Sequence, residues 1–120
     1  MDEIELKQRT KQFALSVTKF VGTLPHDFIA RTLGSQLVRA GTSVGANYRA
    51  ACRSRSHAEF ISKLENVEEE ADESCYWMEL LIESKLMNSS LVKPLLREAC
   101  EITAIISASR QTAKRNAAQN

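Results

Sequence analysis

Apolar and small residues recur along this chain at alternating steps of four and three positions, in four segments separated by short polar stretches. The clearest series are Leu6, Thr10, Phe13, Val17, Phe20 and Leu24, and then Leu95, Ala99, Ile102, Ile106, Ser109 and Ala113. Steps of three and four keep side chains on one face of an α-helix, whereas a half-buried strand would need alternate positions. The pattern therefore predicts four amphipathic helices, over about residues 3–22, 26–53, 57–86 and 92–114.

Residues that favour turns and caps mark the ends of these segments. Pro25 and Pro94 fit the first turns of the second and fourth helices, where a backbone N–H is not needed. Ser56–Glu59 fits a capping box, in which each terminal side chain bonds the backbone N–H of the other. Asn88 is a candidate left-handed stop for the third helix, and residues from about Asn116 onward look like a frayed tail.

Four amphipathic helices with short connections are expected to pack as antiparallel neighbours. Their apolar spacing, near 3.5 residues per turn, favours a left-handed crossing of about 20°. The sequence therefore predicts an all-α fold, an antiparallel, up-down-up-down, left-handed four-helix bundle. At 120 residues the chain has the usual size of one domain, so residues 1–120 are expected to form a single bundle domain.

The middle of the second helix is crowded with small residues, including Gly41 and Gly45. Two glycines cost about 2 kcal/mol relative to alanine in a helix interior, so a compensating interaction is required. Close approach of a neighbouring backbone at these positions would provide that interaction. A hinge or the approach of a ligand is the alternative explanation.

Charge is strongly segregated along the chain, although the net charge is only +1. Residues 1–26 carry +1, residues 27–55 carry +4, residues 56–86 carry −7 and residues 87–120 carry +3. A partner would therefore meet a polarised surface. The acidic amino terminus is unlike a secretory signal, and no run of about 18 apolar residues is present, so we expect a cytoplasmic protein without membrane association.

The residue types that usually carry chemistry are few and scattered. Cys52, Cys75 and Cys100 contain no CxxC pair and have no histidine at zinc spacing, so we expect small buried or half-buried side chains. His26 and His57 stand at helix starts and are expected to be exposed. Without a recognisable nucleophile–base pair or phosphate-binding loop, the sequence predicts no catalytic residues, no metal, no cofactor and no small-molecule substrate.

Four arginines of the second helix fall within an arc of roughly 80° on the side opposite its core line. They form a basic stripe about 33 Å long. Arginine can bind a phosphate through two N–H groups at once, so RNA or DNA is a candidate ligand for Arg31, Arg39, Arg49 and Arg53. An ordinary solvated face or a protein contact is the alternative, because no aromatic residue for base stacking is interleaved with them.

The third helix combines an acidic outer face with an apolar strip. Its outer acidic residues are Glu65, Glu68, Glu69, Asp72, Glu79 and Glu83. The helical repeat places Tyr76, Trp77 and Leu80 roughly 90° to 170° away from the core line. A monomer should not expose such residues together, so they are candidate contacts in a homo-oligomer. Shelter beneath a neighbouring helix is the alternative.

Several stretches of the second and third helices form a recognisable series. They are Gln36–Ala40, Ser43–Tyr48, Ser56, Glu59–Phe60, Lys63–Leu64, Glu69–Glu73 and Trp77–Leu81. In their order and spacing these stretches resemble the four-helix bundle proteins of the 23S rRNA-intervening-sequence family. The similarity extends from about Phe13 to Ile106 and depends on the whole series, not on any one motif.

Members of that family are small bacterial bundles, some encoded within insertions in 23S rRNA genes, and structural relatives assemble as pentameric rings. Related accessory proteins of diversity-generating retroelements bind nucleic acid and a reverse transcriptase through a basic ring surface. The resemblance therefore implies a non-enzymatic, oligomeric interaction protein, with a pentameric ring and RNA or DNA binding as expectations. The near-neutral total charge keeps an alternative open, a protein–protein adaptor whose second-helix arginines dock on the acidic third helix of an adjacent subunit.

Overall fold

Four helices account for most of the chain in the computed structural model, which describes residues 1–119. They are α1 (Glu3–Val21), α2 (Phe28–Cys52), α3 (His57–Glu83) and α4 (Ser89–Gln119). No strand occurs among residues 1–119, and the helices lie side by side in a bundle of 52 × 22 × 20 Å. The predicted all-α four-helix bundle is thereby confirmed.

Each of the first three helices begins at a side chain that accepts a hydrogen bond from the first turn. Asp2 precedes α1, Asp27 precedes α2 and Ser56 precedes α3, and each accepts from the backbone N–H three positions further on. Such caps satisfy N–H groups that have no partner inside the helix. Because Asp27 is the cap of α2, Pro25 lies before that helix. The prediction that Pro25 occupies the first turn of α2 is therefore wrong.

The capping box at the start of α3 is present in a shifted form. The N–H of Glu59 donates to the Ser56 hydroxyl at 3.1 Å, as predicted. The Glu59 carboxylate accepts from the N–H of Arg55 at 3.0 Å, one residue before the expected donor. This backbone hydrogen bond is the main reason that the pKa of Glu59 lies below its ordinary value.

The end of α3 differs from the predicted position. The helix ends at Glu83, and Lys85 takes the left-handed conformation, with φ of 58°. Asn88 was the predicted left-handed residue, but its side-chain oxygen accepts from the N–H of Ser90 at 3.0 Å. Asn88 therefore supports the start of α4 and does not terminate α3.

Helix α4 is longer at both ends than its apolar pattern indicated. It begins at Ser89, so Pro94 lies inside the helix and beyond its first turn. It also continues to Gln119. The frayed tail predicted from about Asn116 is therefore wrong for residues 116–119, which are helical. Asn120, the last residue of the predicted tail, lies outside the described residues.

The core runs along the bundle and receives side chains from all four helices. Its largest fully buried apolar side chains include Phe13, Leu37, Leu64, Met78, Leu81, Ile102 and Ile106. Two polar residues, Thr10 and Ser74, are also buried, and each hydroxyl donates to a carbonyl one turn earlier at 2.9 Å. These bonds avoid the penalty of an unpaired hydroxyl in an apolar interior.

Helices α1 and α2 approach closely where α2 lacks side chains. A methyl group at Gly45 would lie 3.3 Å from the Thr10 hydroxyl oxygen and 3.4 Å from the Thr10 carbonyl. At Gly41 it would lie 3.0 Å from both methyl groups of Val17. The predicted close approach of a neighbouring backbone is confirmed at Gly45. These contacts run in opposite chain directions, as antiparallel neighbours require, while the full up-down-up-down order and the left-handed crossing stay predictions.

An ion-pair network at the surface joins helices α1 and α4. The Arg9 guanidinium donates to both carboxylate oxygens of Glu98, at 2.7 and 2.8 Å, and to Glu101 at 2.5 Å. Beside this network a groove of about 420 Å³ separates the two helices, with Phe20 and Leu91 among its lining residues.

None of the described helices is long and apolar enough to cross a membrane.

Candidate nucleic-acid interface

The outer side of α2 presents three arginines that have no acidic partner among the residues described by the structure. Arg31, Arg49 and Arg53 are exposed, and none of them forms a salt bridge with any residue in the range 1–119. Helix α2 itself contains no acidic residue. Arg49 lies in the last turn of α2, and Arg53, four positions further on, is the residue that caps the end of the helix, so both stand at the same end of α2. These two guanidinium groups are the densest part of the basic surface of α2.

Arg39 differs from the other three candidates because its charge is matched within its own subunit. Its guanidinium donates to Glu70 at 3.3 Å and also to Glu73, both on α3. A third bond joins its Nε to the side-chain oxygen of Gln36 at 3.2 Å. The predicted stripe of four arginines is thus divided, with Arg31 on one side of this ion-paired residue and Arg49 on the other.

An exposed aromatic ring lies close to Arg31 along α2. Phe28, the first residue of the helix, is 73% exposed and precedes Arg31 by three positions, which places both on one side of the helix. The sequence reasoning missed this residue because it looked for aromatic side chains between the arginines. Its position one turn before Arg31 was the signal that could have identified it.

The apolar strip of α3 is smaller than the helical repeat suggested. Trp77 is half-buried and packs against the core, so the expectation that it faces away from the bundle interior is wrong for this residue. Its indole N–H donates to Glu73 at 3.1 Å, and its ring meets Tyr76 edge-on with centroids 5.2 Å apart. Tyr76 is 53% exposed and Leu80 is half-buried, so these two side chains remain available at the surface.

The acidic residues of α3 fall into two groups. Some have basic partners: Arg110 binds Glu68, with a shortest contact of 2.7 Å, and holds the pKa of that carboxyl below its ordinary value. Lys114 pairs with Glu65 at 3.3 Å. Others form no salt bridge within residues 1–119, namely Glu69, Asp72, Glu79 and Glu83. Part of the acidic face is therefore neutralised inside the subunit, and part is presented to the surroundings.

The cysteines differ in exposure. Cys75 is buried and Cys52 is half-buried, but Cys100 is exposed, so the expectation of burial is wrong for Cys100. The Sγ atoms of Cys75 and Cys100 lie 3.6 Å apart across the boundary between α3 and α4. The sequence reasoning missed this pair, although Cys75 follows the buried Ser74 and Cys100 follows the buried Ala99. Burial, together with the Cys100 thiol and the charge of Asp72, raises the pKa of Cys75 to about 12.

Both histidines are exposed, as their places near helix starts indicated. His57 lies against the last turns of α4, with its Nε2 2.7 Å from the carbonyl oxygen of Ala113, whereas His26 lies in the turn before α2. No group of three or more His, Cys, Asp or Glu residues in the part of the chain that the structure describes is arranged to hold a metal ion.

Known proteins with similar sequence or structure agree with this architecture. The sequence model of a family described as "23S rRNA-intervening sequence protein" matches residues 2–108. A crystal structure of a protein of unknown function, from the S23 ribosomal protein family of Bacteroides thetaiotaomicron, is similar with a TM-score of 0.85 and 29% sequence identity. That similarity covers 92% of this chain and 99% of the other. Among curated proteins, none matches this sequence.

Proposed function

We propose that this chain, which belongs to the 23S rRNA-intervening sequence protein family, is a non-enzymatic homo-oligomer that binds RNA or DNA through the outer arginines of α2. The observation that carries the proposal is the exposure of Arg49 and Arg53, one turn apart and without an acidic partner among residues 1–119. A guanidinium with no carboxylate partner can offer its N–H donors to a phosphate. Arg31 adds a third cation near the other end of the same helix.

The binding expected of this surface is directed at the phosphate backbone and has little sequence preference. Arginine contacts to phosphates position a nucleic acid but do not distinguish its bases. Phe28 adds a local preference for unpaired nucleotides, because an exposed aromatic ring can stack on a base of any type. We therefore expect single-stranded or looped RNA to bind more tightly than a duplex of the same length. The family's printed name refers to sequences that intervene in 23S rRNA, so fragments of that RNA are the first to test.

Oligomerisation is part of the proposal because a single subunit offers only a small basic surface. Several copies in one assembly would multiply weak phosphate contacts through a high effective concentration. Tyr76 and Leu80 are the candidate contacts between subunits, since an exposed phenol ring beside a half-buried leucine fits a subunit interface better than a solvated face. A pentameric ring is the expected form.

The test of nucleic-acid binding is a filter-binding titration at two salt concentrations, with fragments of the 23S rRNA intervening sequence and with a mixed-sequence RNA of the same length. Wild-type protein should retain RNA at about 50 mM salt and release most of it at about 200 mM, because each phosphate contact displaces bound counterions. The double variant Arg49→Gln/Arg53→Gln should bind all sequences more weakly, with a salt slope reduced by about 2. Phe28→Ala should weaken binding to single strands and leave duplex binding unchanged.

The matched control is Lys93→Gln/Arg97→Gln, which removes the same charge from exposed residues of α4, a helix that makes no contact with α2 within residues 1–119. This control should bind RNA as the wild type does. If both double variants lose the same affinity, the attraction is non-specific and does not involve the α2 surface. If wild-type protein retains no RNA at about 50 mM salt, where phosphate contacts are strong, nucleic-acid binding is wrong.

The oligomer has its own test in light scattering. Tyr76→Ser/Leu80→Ser should give a folded species of lower mass, whereas Leu15→Ser, which alters an exposed leucine of α1, should leave the mass unchanged. Circular dichroism would verify that both variants remain helical. A wild-type protein that is already monomeric at micromolar concentration would contradict this part of the proposal.

A second candidate function, a protein–protein adaptor, is favoured by the α3 carboxylates that have no basic partner among residues 1–119. In this case Arg49 and Arg53 of one subunit would bind α3 of the next. The carboxylates expected to receive these arginines are Glu65, Glu69 and Glu73 of the neighbouring subunit. Glu65 pairs with Lys114 and Glu73 with Arg39 in their own subunit, while Glu69 forms no salt bridge within residues 1–119. The adaptor hypothesis therefore predicts that Arg49→Gln/Arg53→Gln and Glu69→Gln each weaken the oligomer. It also predicts that neither the wild-type protein nor these variants bind RNA.

A further inference from the structure

Cys75 and Cys100 are the only pair of cysteines brought into contact by the helix packing described for residues 1–119. They lie on different helices, 25 positions apart, with their sulfur atoms 3.6 Å from each other. One thiol is buried at 6% exposure and the other is exposed to solution. A reactive small molecule can therefore reach Cys100 directly, whereas Cys75 is largely shielded from solution.

The surface around Cys100 has a shape and a charge suited to an anionic ligand. Cys100 lines a groove of about 430 Å³ together with Lys93, Leu96, Arg97 and Glu101. The Glu101 carboxylate is bonded to Arg9 at 2.5 Å on the α1 side of α4, although Arg9 also binds Glu98 and therefore offsets only part of the Glu101 charge. Lys93 and Arg97 are exposed and form no salt bridge within residues 1–119. Two cations thus stand on the same helix beside an accessible thiol.

The geometry points to a reversible thiol-modification site at Cys100, which reacts with small disulfides bearing carboxylates and is resolved by Cys75 to a disulfide that clips α3 to α4. The site is independent of the nucleic-acid surface, because it involves other residues on other helices. Lys93 and Arg97 would bind the carboxylates of the small disulfide, and the exposed Cys100 would receive its sulfur.

The reaction proceeds by two thiol–disulfide exchanges and balances without a further oxidant. The Cys100 thiolate attacks one sulfur of the small disulfide, a mixed disulfide forms on Cys100, and the first small thiolate leaves and takes up a proton. Cys75 then loses its proton to water and attacks Cys100 Sγ, which expels the second small thiolate. Two protein thiols are oxidised, and one small disulfide is reduced to two thiols.

The second exchange has an advantage and an obstacle. The advantage is proximity, since the sulfur atoms start 3.6 Å apart and need approach only to about 2.05 Å. The obstacle is the raised pKa of Cys75, which keeps that sulfur protonated at neutral pH. The mixed disulfide on Cys100 is therefore expected to appear first, and closure should become faster as the pH rises.

The experiment incubates reduced, purified protein with oxidised glutathione, alkylates the remaining thiols and measures the intact mass. Wild type should pass through one glutathione adduct and end with only Cys52 alkylated and no adduct. Cys75→Ala should keep one glutathione, and Cys100→Ala should gain none in the same time. Cys52→Ser is the control and should close as the wild type does. Dithiothreitol should restore all thiols in every variant.

Two results would overturn the inference. One is a wild-type protein whose glutathione adduct persists without closure at neutral and at mildly alkaline pH. The other is equal modification of Cys100→Ala and wild type.

The groove is tested separately with Lys93→Gln/Arg97→Gln, which should slow the reaction with oxidised glutathione several-fold and leave the reaction with neutral hydroxyethyl disulfide unchanged. Equal rates of this variant and wild type with oxidised glutathione would remove the charge recognition from the proposal. Closure should also raise the melting temperature by several degrees, since it ties two helices together.

Discussion

Helix α1 packs on its two neighbours in different ways. Towards α2 its backbone lies close to glycines, and a methyl group at Gly45 would lie 3.3–3.4 Å from Thr10. Towards α4 it forms the Arg9 ion-pair network and borders an open groove of about 420 Å³. Close packing gains stability from many small contacts and tolerates little change in volume, whereas ion pairs at a partly exposed seam contribute modestly and depend on solution conditions. The α1–α2 seam should therefore be sensitive to steric change, and the α1–α4 seam to pH and salt.

The largest expected effect comes from a charge placed in the apolar core, next to Gly45 of the α1–α2 seam. Val44→Asp puts a carboxylate at a position of α2 that is 0% exposed. An unpaired buried carboxylate costs several kcal/mol, against a total stability of about 5–15 kcal/mol, so the bundle should unfold or become only marginally stable. Circular dichroism during urea unfolding measures this loss. A variant within about 1 kcal/mol of wild type would contradict the full burial of this position in the apolar core.

The next effect tests the close approach itself. Gly45→Leu adds a side chain where the Thr10 backbone is nearest, and overpacking of this kind costs about 1–3 kcal/mol, which exceeds the gain of about 1 kcal/mol in helix propensity. Ala46→Leu, at the adjacent exposed position, is the control and should cost at most a few tenths of a kcal/mol, because leucine is nearly as good a helix former as alanine. Melting temperatures of both variants decide the question. If Gly45→Leu melts at or above the temperature of the control, the seam is looser than these distances indicate.

A smaller effect is expected at the polar seam. Arg9→Met keeps the aliphatic stem but removes the donors to Glu98 and Glu101. The side chains of Arg9 and Glu98 are 25% and 30% exposed, so we expect a loss of about 1–2 kcal/mol, reduced further at high salt. Urea unfolding at low and high salt measures both quantities. A loss as large as that of Val44→Asp would show that the two seams do not differ in the way described.

The smallest effect is a dependence of stability on pH. The hydrogen bonds from Arg9 hold the pKa of Glu98 below its ordinary value of about 4.5, although burial acts in the opposite direction. A carboxyl with a lowered pKa in the folded state contributes stability above its ordinary pKa and loses that contribution as the pH falls through the folded value. Stability should therefore decline below about pH 4.5, less steeply in Arg9→Met. The Glu68–Arg110 pair is unchanged in this variant, so part of the decline should remain.

The helices themselves could be predicted from the sequence to a large extent. The apolar series that begins at Leu6 identified the buried face of α1, and the glycines of α2 indicated a close neighbour before any neighbour was known. The ends of the helices were less predictable, because one residue can cap either of two helices that are neighbours in the sequence. Asn88 can stop one helix or support the start of the next, and only the positions of α3 and α4 decide which role it takes.

The candidate sites were less predictable than the helices, because each depends on what the next helix presents. Arg39 lies on the outer side of α2 by its helical repeat, yet its long side chain reaches Glu70 and Glu73 on α3. Trp77 lies off the core line of α3, but its large ring still packs against the core. Long and bulky side chains extend beyond the face on which their Cα lies, so a projection of one helix misplaces them.

Spacing along the chain was sufficient to identify four helices, their order and their buried faces, because burial of apolar area is non-directional and requires only that one face of each helix be apolar. The partners of individual polar and sulfur-containing side chains could not be derived in this way. A hydrogen bond or a thiol contact requires two groups within a few ångströms and in a suitable direction, so it depends on the relative positions of two helices. Only the tertiary arrangement determined that Arg39 is ion-paired and that Cys75 contacts Cys100. It also determined that Arg49 and Arg53 form no ion pair with any residue in the range 1–119.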